Sequence, residues 1–312
     1  DQVSNSTLRL ALLEVTEDIQ SGTSLSEALS KHPDVFPVIY YRMIQVGERT
    51  GRLETLLRQL ATYMGKEEAI GKKIQGAMVY PSIVLTLAVG VILLLLTVAL
   101  PAMMGLYAEL KVELPLPTRI LMGITGFTRD YGAIVLIGLI VLGATTVMYT
   151  RTTTGRWQFH YFLLRMPALG AVNLKGSISR FARTMSILLR AGLPLTEVMD
   201  LLLQTTQNDV IRNALIEVRA QLMAGQGLSV PLGGQRIFPR LLVQMVRVGE
   251  ETGTLDTTLD TLADFYEEEA DRAISTLTAL IEPVMMMFVG AVVGFIAISV
   301  ITPMYSMMGS IK

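Results

Sequence analysis

Three long stretches without charged side chains set the strongest limit on how this chain can fold. They are residues 74–108, 131–150 and 283–311. A helix needs about 20 apolar residues to cross the hydrocarbon core of a bilayer, because that core is about 30 Å thick and each residue adds about 1.5 Å. We therefore predict three transmembrane helices, at residues 78–105, 131–150 and 282–306.

The composition indicates that these helices are joined to domains outside the membrane. Of the 312 residues, 51% are hydrophobic and 17% are charged, which is too apolar for an ordinary soluble protein and too charged for a chain lying wholly in lipid. The net charge of -1 gives no overall positive field, so we expect no nucleic-acid partner. The chain has no cysteine, which excludes disulfides, thiolate metal sites and cysteine nucleophiles.

The chain contains an internal repeat. The phrase VGERTG at residues 46–51 returns as VGEETG at residues 248–253, and the same spacing pairs Pro81 with Pro283. Self-similarity of this kind is typical of a duplicated structural module. Each copy consists of a soluble module followed by one apolar stretch. The middle stretch, residues 131–150, belongs to neither copy and must carry the chain back across the membrane.

Both modules are predicted to be all-helical, because apolar residues recur at helical spacing and no window alternates as a half-buried strand does. We expect an all-α membrane protein with two similar helical bundles of about six short helices each. They occupy residues 1–73 and 151–278, and the first is expected to be truncated at its start. More basic residues flank the apolar stretches on the side of the modules than on the opposite side. Because basic residues are enriched on the cytoplasmic side of a membrane, we expect the modules in the cytoplasm and segments 106–130 and 307–312 in the periplasm.

Each copy of the repeated phrase predicts a helix that stops near its first glycine, a tight turn and a new helix. The residues concerned are Gly47, Glu48, Gly51 and Leu53 in the first module and Gly249, Glu250, Gly253 and Leu255 in the second. The role of the two glutamates stays open between two interpretations. In the structural one, the carboxylate accepts free N–H groups at the start of the next helix or pairs with a local arginine. In the functional one, it contacts a cation or a partner's basic residue.

Other residues are candidates for contacts with lipid or with other chains. The predicted membrane boundary is marked by Pro81, Glu282 and Pro283. Gly290 and Gly294 offer a small-residue face for helix packing within or between protomers. An acidic helix surface, which is either solvated or available to a basic partner, comprises Asp260, Asp264, Glu267, Glu268, Glu269 and Asp271.

The sequence predicts no catalytic, cofactor or metal site. His32 and His160 are the only histidines and lie far apart, so neither a metal pair nor a histidine base is expected. Sequence motifs of zinc proteases, serine hydrolases and phosphate-binding loops are absent. The alternative function is an oligomeric membrane transporter or channel. Against it, no apolar stretch carries the charged residue that usually marks a transport pathway.

Several motifs together resemble one known family. They are FARTMSILLRAGLPLTEVMDLL at residues 181–202, the two GEXTGXL phrases, YPSIVL at 80–85, LPLPT at 114–118 and EPVMMMFVGAVVG at 282–294. In this order and spacing, they are similar to the inner-membrane platform proteins of bacterial type II secretion and type IV pilus assembly, which carry duplicated F domains.

The resemblance implies a non-enzymatic assembly platform in the bacterial inner membrane, without a cofactor. Such a platform would couple a cytoplasmic ATPase to the assembly of a filament of pilin-like subunits. The expected partners are the secretion or pilus ATPase, other inner-membrane assembly proteins, the transmembrane helices of pilins or pseudopilins, membrane lipid and further copies of the chain itself.

Overall fold

The structure, a computed structural model, describes residues 6–94 and 116–310, and every regular element among them is a helix. The first four helices are α1 (Ser6–Gln20), α2 (Leu25–Ser30), α3 (Val38–Thr50) and α4 (Leu53–Leu94). The next four are α5 (Leu116–Arg151), α6 (Thr153–Arg165), α7 (Leu169–Arg190) and α8 (Leu195–Thr205). The last four are α9 (Asp209–Met223), α10 (Ser229–Gly234), α11 (Arg240–Thr252) and α12 (Leu255–Ser310). The all-helical prediction is confirmed for these residues.

Helices from both copies of the repeat form one compact unit, made of Asp1–Lys72 and Arg156–Ala273. Helices α1 to α4 correspond in sequence to α9 to α12, whereas α6, α7 and α8 have no counterpart in the first copy. One buried apolar cluster contains Leu60 of α4, Phe181 of α7 and Leu259 of α12. The two modules therefore share a single core within this unit.

Helix α7 holds a central place in that core. Ile178, Ala182, Met185 and Leu188 follow one another at helical spacing, and each is at most 1% exposed. Full burial of a large aliphatic side chain contributes about 1.5–3 kcal/mol, so this face fixes the helix firmly in the unit. Because α7 is held in this way, the polar residues on its other faces are also held in defined positions.

The second compact unit consists of Lys73–Gly155 and Ile274–Lys312. Among the described residues, two helical segments are long and apolar enough to cross a membrane, and they are Leu53–Ile92 and Leu255–Ser299. The predicted span at 131–150 lies inside helix α5. That this third segment crosses the membrane stays a prediction.

Part of the predicted topology falls outside the described residues. Residues 95–115 contain the end of the predicted first span and much of the segment that follows it, and residues 311–312 close the predicted tail. The side of the membrane on which each segment lies also stays a prediction.

The residues predicted to make contacts in the membrane lie inside long helices. Pro81 lies in the interior of α4 and Pro283 in the interior of α12, so neither proline begins a helix. A Cβ atom added to Gly290 or Gly294 would meet no described atom within 4 Å. The small-residue face is therefore not covered within the described residues of one chain, and its packing between copies stays a prediction.

Candidate functional site

The repeated phrase builds the same local structure in both modules. Helix α3 continues through Gly47 as far as Thr50, and helix α11 continues through Gly249 as far as Thr252. The prediction that each helix stops near its first glycine is therefore wrong. The helix ends three residues later, and the first glycine has a different role.

That role is to allow two backbone segments to approach each other. A Cβ atom on Gly47 would lie 2.9 Å from the Cα of Leu53, and one on Gly249 would lie 2.9 Å from the Cα of Leu255. Interiors are packed to contact distance, so even one extra methyl group at this point would push the segments apart. Only glycine lets the leucine that begins α4 or α12 pack against the preceding helix.

The second glycine of each phrase ends the helix. Gly51 has a φ of 68° and Gly253 a φ of 70°, which is the left-handed conformation that glycine adopts without strain. The chain then reverses, and the N–H of Thr254 donates to the carbonyl of Gly249 at 2.9 Å. The two glycines together therefore set the point and the direction in which each long helix starts.

The glutamate of each phrase binds the start of another short helix. Glu250 accepts hydrogen bonds from the backbone N–H groups of Leu228 and Ser229 at the start of α10, the second at 3.0 Å. Glu48 accepts from the N–H of Leu25 at 2.8 Å and from the hydroxyl of Ser26 at 2.5 Å, at the start of α2. In both modules, the glutamate thus accepts from the start of a helix that precedes the phrase in sequence. The structural interpretation of the sequence predicted the start of the helix that follows the phrase.

The physical reason lies in the unpaired groups of a helix start. The first N–H groups of a helix have no partner inside the helix, and a carboxylate is favoured beside them by the helix dipole. Both carboxylate oxygens of Glu250 are engaged by such donors. A Cβ on Gly227 would lie only 3.1 Å from one of these oxygens, so glycine before α10 leaves room for the contact.

The acidic surface of α12 lies against a buried arginine of α7. The side chain of Arg183 is only 10% exposed, and its guanidinium forms salt bridges with Asp260, Asp264 and Glu267. The pair with Glu267 has a nitrogen to oxygen distance of 2.9 Å. Three carboxylates of one helix therefore share one cation.

A lysine of the first module joins the same network. The Nζ of Lys66, in α4, lies 2.9 Å from a carboxylate oxygen of Asp264 and 2.9 Å from one of Glu267. Since Lys66 belongs to one copy of the repeat and both acids belong to the other, the network connects the two modules. Such charge-assisted hydrogen bonds are stronger than neutral ones.

Two further acids of this surface, Glu268 and Glu269, are also paired, and Asp260 has a second basic partner. The nitrogen to oxygen distances are 2.8 Å for Arg190 with Asp260, 2.7 Å for Lys175 with Glu269 and 2.8 Å for Arg272 with Glu268. Most of the predicted acidic surface is therefore satisfied within the chain. Glu268, which is 66% exposed, lies open to solvent, and its contact with a partner stays a prediction.

Sequence reasoning missed the basic partners Lys66, Lys175, Arg183 and Arg190. The only signal for them was a difference in charge between the copies, because GKEEAIGKK in the first module stands where the second has the run of glutamates at 267–269. Among the described residues, no group of three or more histidines and carboxylates is arranged to hold a metal ion.

The network shifts the protonation of its members in a consistent direction. Burial raises the pKa of Asp264, but hydrogen bonds from Arg183 and Lys66 outweigh it and hold that pKa below its ordinary value. Burial lowers the pKa of Lys66, but hydrogen bonds to Glu267 and Asp264 outweigh it and raise that pKa above its ordinary value. Each group is therefore held in its charged form by the others.

These features define a class of protein. The chain is helical, it contains two copies of a module marked by one glycine and glutamate motif, and it carries helices apolar enough to cross a membrane. The family model described as "Type II secretion system (T2SS), protein F" matches residues 1–101 and 181–303, once for each copy. The chain belongs to this family, which confirms the resemblance drawn from the sequence motifs.

Relatives that carry names from two assembly systems match nearly the whole chain. It is 36% identical to the type IV pilus assembly protein PilC of Thermus thermophilus, covering 100% of this chain and 77% of the relative. It is 34% identical to PilC of Myxococcus xanthus, covering 100% and 75%. It is 31% identical to the type II secretion system protein F of Aeromonas hydrophila, covering 97% and 78%.

Proposed function

We propose that this protein is a non-enzymatic platform of a type II secretion or type IV pilus machine in the bacterial inner membrane. The observation that carries the proposal is the similarity over nearly the whole chain to relatives named for both kinds of assembly. In this proposal, a cytoplasmic assembly ATPase and other inner-membrane assembly proteins engage the modules. The membrane part contacts lipid and the transmembrane helices of pilin or pseudopilin subunits.

The arrangement of the helices supports a mechanical role. The two modules share one core and one charged network, so they form a body that can move as a unit. Helices α4 and α12 begin at the repeated motif and run without interruption into apolar stretches. Each long helix therefore connects the motif directly to the apolar stretch of its own copy.

The proposal is tested by crosslinking at matched positions of the two modules. Leu13 in α1 and Ile216 in α9 correspond in the repeat, and they are 61% and 49% exposed. A photoreactive amino acid at either position, in the full chain in native membranes, should form an adduct with the assembly ATPase if that module is engaged. A deletion strain should lose surface filaments or secreted product and regain them with either substituted chain.

Two results would contradict the platform role. One is a deletion strain that assembles filaments and secretes normally. The other is flux of a small solute through vesicles that contain the purified chain alone, because this result would support the transporter or channel alternative.

Self-association in the membrane is a further part of the proposal. Gly290 lies beside a groove of about 450 Å³ between α4 and α12, whose lining includes Tyr80, Val84 and Val293. Small residues in such a face let helices of separate chains approach closely. The double change Gly290→Leu and Gly294→Leu should reduce crosslinked dimers in membranes. Equal dimer yields in the variant and the unaltered chain would remove this assignment.

A further inference from the structure

A pocket in the second module has both apolar and polar residues in its lining, with several hydrogen-bond donors and no carboxylate. It is formed by α6, α7, the end of α8 and the residues that follow α8, with Tyr63 of α4 as a further lining residue, and its volume is about 150 Å³. None of the residues of the repeated motif or of the charged network with Asp264 lines it. The pocket is therefore separate from the features described above.

Helix α7 supplies one polar stripe of this lining. Asn173, Ser177, Arg180 and Thr184 all line the pocket, and their spacing of three or four residues places them on one face of the helix. Arg180 is half-buried, and the structure shows no ion pair or hydrogen bond for it among the described residues. Its Nη1 would lie 3.9 Å from a Cβ on Gly176, so the guanidinium lies over the preceding turn of α7.

Asp209, the acid closest in sequence to a residue of the pocket lining, does not neutralise the charge of Arg180. Asp209 follows the lining residue Asn208, but its carboxylate is bound by Arg156 at 2.5 and 2.9 Å and by Arg212 at 3.3 Å. A partly buried cation without a counterion is unfavourable, because burial removes part of its hydration. The pocket thus has an excess of positive charge.

Two further side chains, those of Asn173 and His160, are oriented so that each has a donor for which the described residues show no acceptor. The amide oxygen of Asn208 accepts from the N–H groups of Val210 and Ile211, so its NH₂ group donates to the oxygen of Asn173 at 2.9 Å. This fixes the amide of Asn173 and leaves its own NH₂ group as a donor.

The same reasoning applies to the lining residue His160. Its Nδ1 accepts from the N–H of Asp209 at 3.1 Å, which places the proton of the neutral ring on Nε2. Nε2 is therefore a donor as well, and the structure records no acceptor for it in the described part of the chain.

Two hydroxyl groups of the stripe on α7 complete the set. Thr184 is only 3% exposed, and neither its hydroxyl nor that of Ser177 makes a hydrogen bond within residues 6–94 and 116–310. The hydroxyls of Thr205 and Thr206, on the opposite wall, donate to backbone carbonyls of α8. Thr184 and Ser177 therefore each offer a hydroxyl that can donate to an occupant of the pocket.

We propose that this pocket binds one small oxyanion of the phosphate type, with Arg180 as its charge partner. The donors come from a guanidinium, an amide, an imidazole and two hydroxyls, and the four oxygens of a phosphate group can accept more of them than the two oxygens of a carboxylate. The pocket volume of about 150 Å³ lies below the roughly 300–1,000 Å³ of pockets for larger ligands and suits a small ion.

Calorimetric titration of the full chain in detergent tests the proposal, with inorganic phosphate as the probe and chloride used to keep ionic strength constant. Phosphate should bind with one site per chain and raise the Tm, since an anion that binds only the folded state stabilises it. Arg180→Gln should weaken binding by at least about tenfold, since charged hydrogen bonds are worth about 1.5–3 kcal/mol. Arg240→Gln, which removes an exposed arginine of the same module outside the pocket, should leave it unchanged.

A second variant keeps the test decisive. Thr184→Val removes one hydroxyl donor of the pocket and should weaken phosphate binding by about two- to tenfold. A second titration with glycerol phosphate distinguishes two possible sources of the phosphate group. Binding of this monoester indicates a small phosphorylated metabolite. Binding of inorganic phosphate alone indicates the free ion. An equal rise in Tm with chloride, or equal phosphate affinity in the unaltered chain and in Arg180→Gln, would overturn the assignment.

Discussion

Lys66 Nζ lies 2.9 Å from Asp264 Oδ1, although the two residues are 198 positions apart in the sequence. They belong to α4 and α12, the corresponding long helices of the two repeat copies. The copies differ in charge at the place where they meet, so that one supplies the cation and the other the acids. The contact therefore gives a structural reason for the difference in charge between GKEEAIGKK in one copy and the acidic stretch in the other.

The first prediction concerns the bond between the motif glutamate and α10. Glu250→Gln should lower the free energy of unfolding by about 1–2 kcal/mol, because the amide of glutamine has one acceptor oxygen and leaves one N–H of the helix start unpaired. The measurement is thermal unfolding of the chain in detergent, followed by circular dichroism. The exposed neighbour supplies the control, since Glu251→Gln should leave the Tm unchanged. Equal Tm values for the two variants would contradict a structural role for Glu250.

The second prediction concerns the close approach of Gly249 to Leu255. Gly249→Ala should destabilise the chain by about 1–3 kcal/mol, because the new Cβ would lie 2.9 Å from a backbone carbon. Gly234→Ala is the matched control, since a Cβ there meets nothing within 4 Å and alanine is the better helix former. If both substitutions left the Tm at its original value or higher, the role assigned to the first glycine of the motif would be incorrect.

The third prediction concerns the buried cation of the network. Arg183→Met should lower the free energy of unfolding by up to about 3 kcal/mol, because three carboxylates lose a partner and their partial exposure allows water to compensate in part. Arg272→Met removes an exposed arginine that also contacts two carboxylates of α12, and we expect no measurable change. Urea unfolding of both variants in detergent measures the difference. A larger effect for Arg272 would show that the network is not centred on Arg183.

The fourth prediction is a dependence of stability on pH. The pKa of Asp264 is lower in the folded chain than its ordinary value of 3.8. Its contribution to stability is therefore fully present above about pH 4 and is lost as the pH falls through the depressed pKa. The Tm of the unaltered chain should fall more between about pH 6 and about pH 3 than the Tm of Asp264→Asn, which cannot ionise. An equal fall in both chains would mean that other carboxylates account for the acid sensitivity.

The same linkage has the opposite sign for Lys66. Its pKa is raised above the ordinary 10.5 in the folded chain, so its contribution is complete below that value and is lost as the pH rises through the raised pKa. Between these two limits, we expect this pair to make a constant contribution to stability.

For the repeated phrase, some roles of its residues could be predicted from the sequence and others could not. It indicated that Glu48 and Glu250 have a defined role, and helix-start N–H groups were one of the partners considered. It placed the helix end at the wrong glycine, because a glycine required by close approach and a glycine required by a positive φ look the same in a sequence. Only the positions of Leu53 and Leu255 relative to Gly47 and Gly249 distinguish the two.

The pairing of the acidic residues of α12 could not be predicted from the sequence either. A run of carboxylates reads as a solvated face when only its sequence neighbours are known. The guanidinium of Arg183 and the ammonium of Lys66 reach these acids from other helices, and neither is at a fixed sequence distance from them. Conversely, nothing in the sequence distinguished Arg183 from Arg180, for which the described part of the chain shows no such partner.

The sequence by itself determined the helical class, the duplication, the apolar stretches and the family, because these depend on periodicity and on short motifs whose residues are close together in the chain. The tertiary structure decided which charges are paired, which glycines allow two backbone segments to approach each other and which donors line the pocket beside α7. These properties depend on distances between residues far apart in sequence, and such distances are set only when α7 and the two long helices pack around a common core.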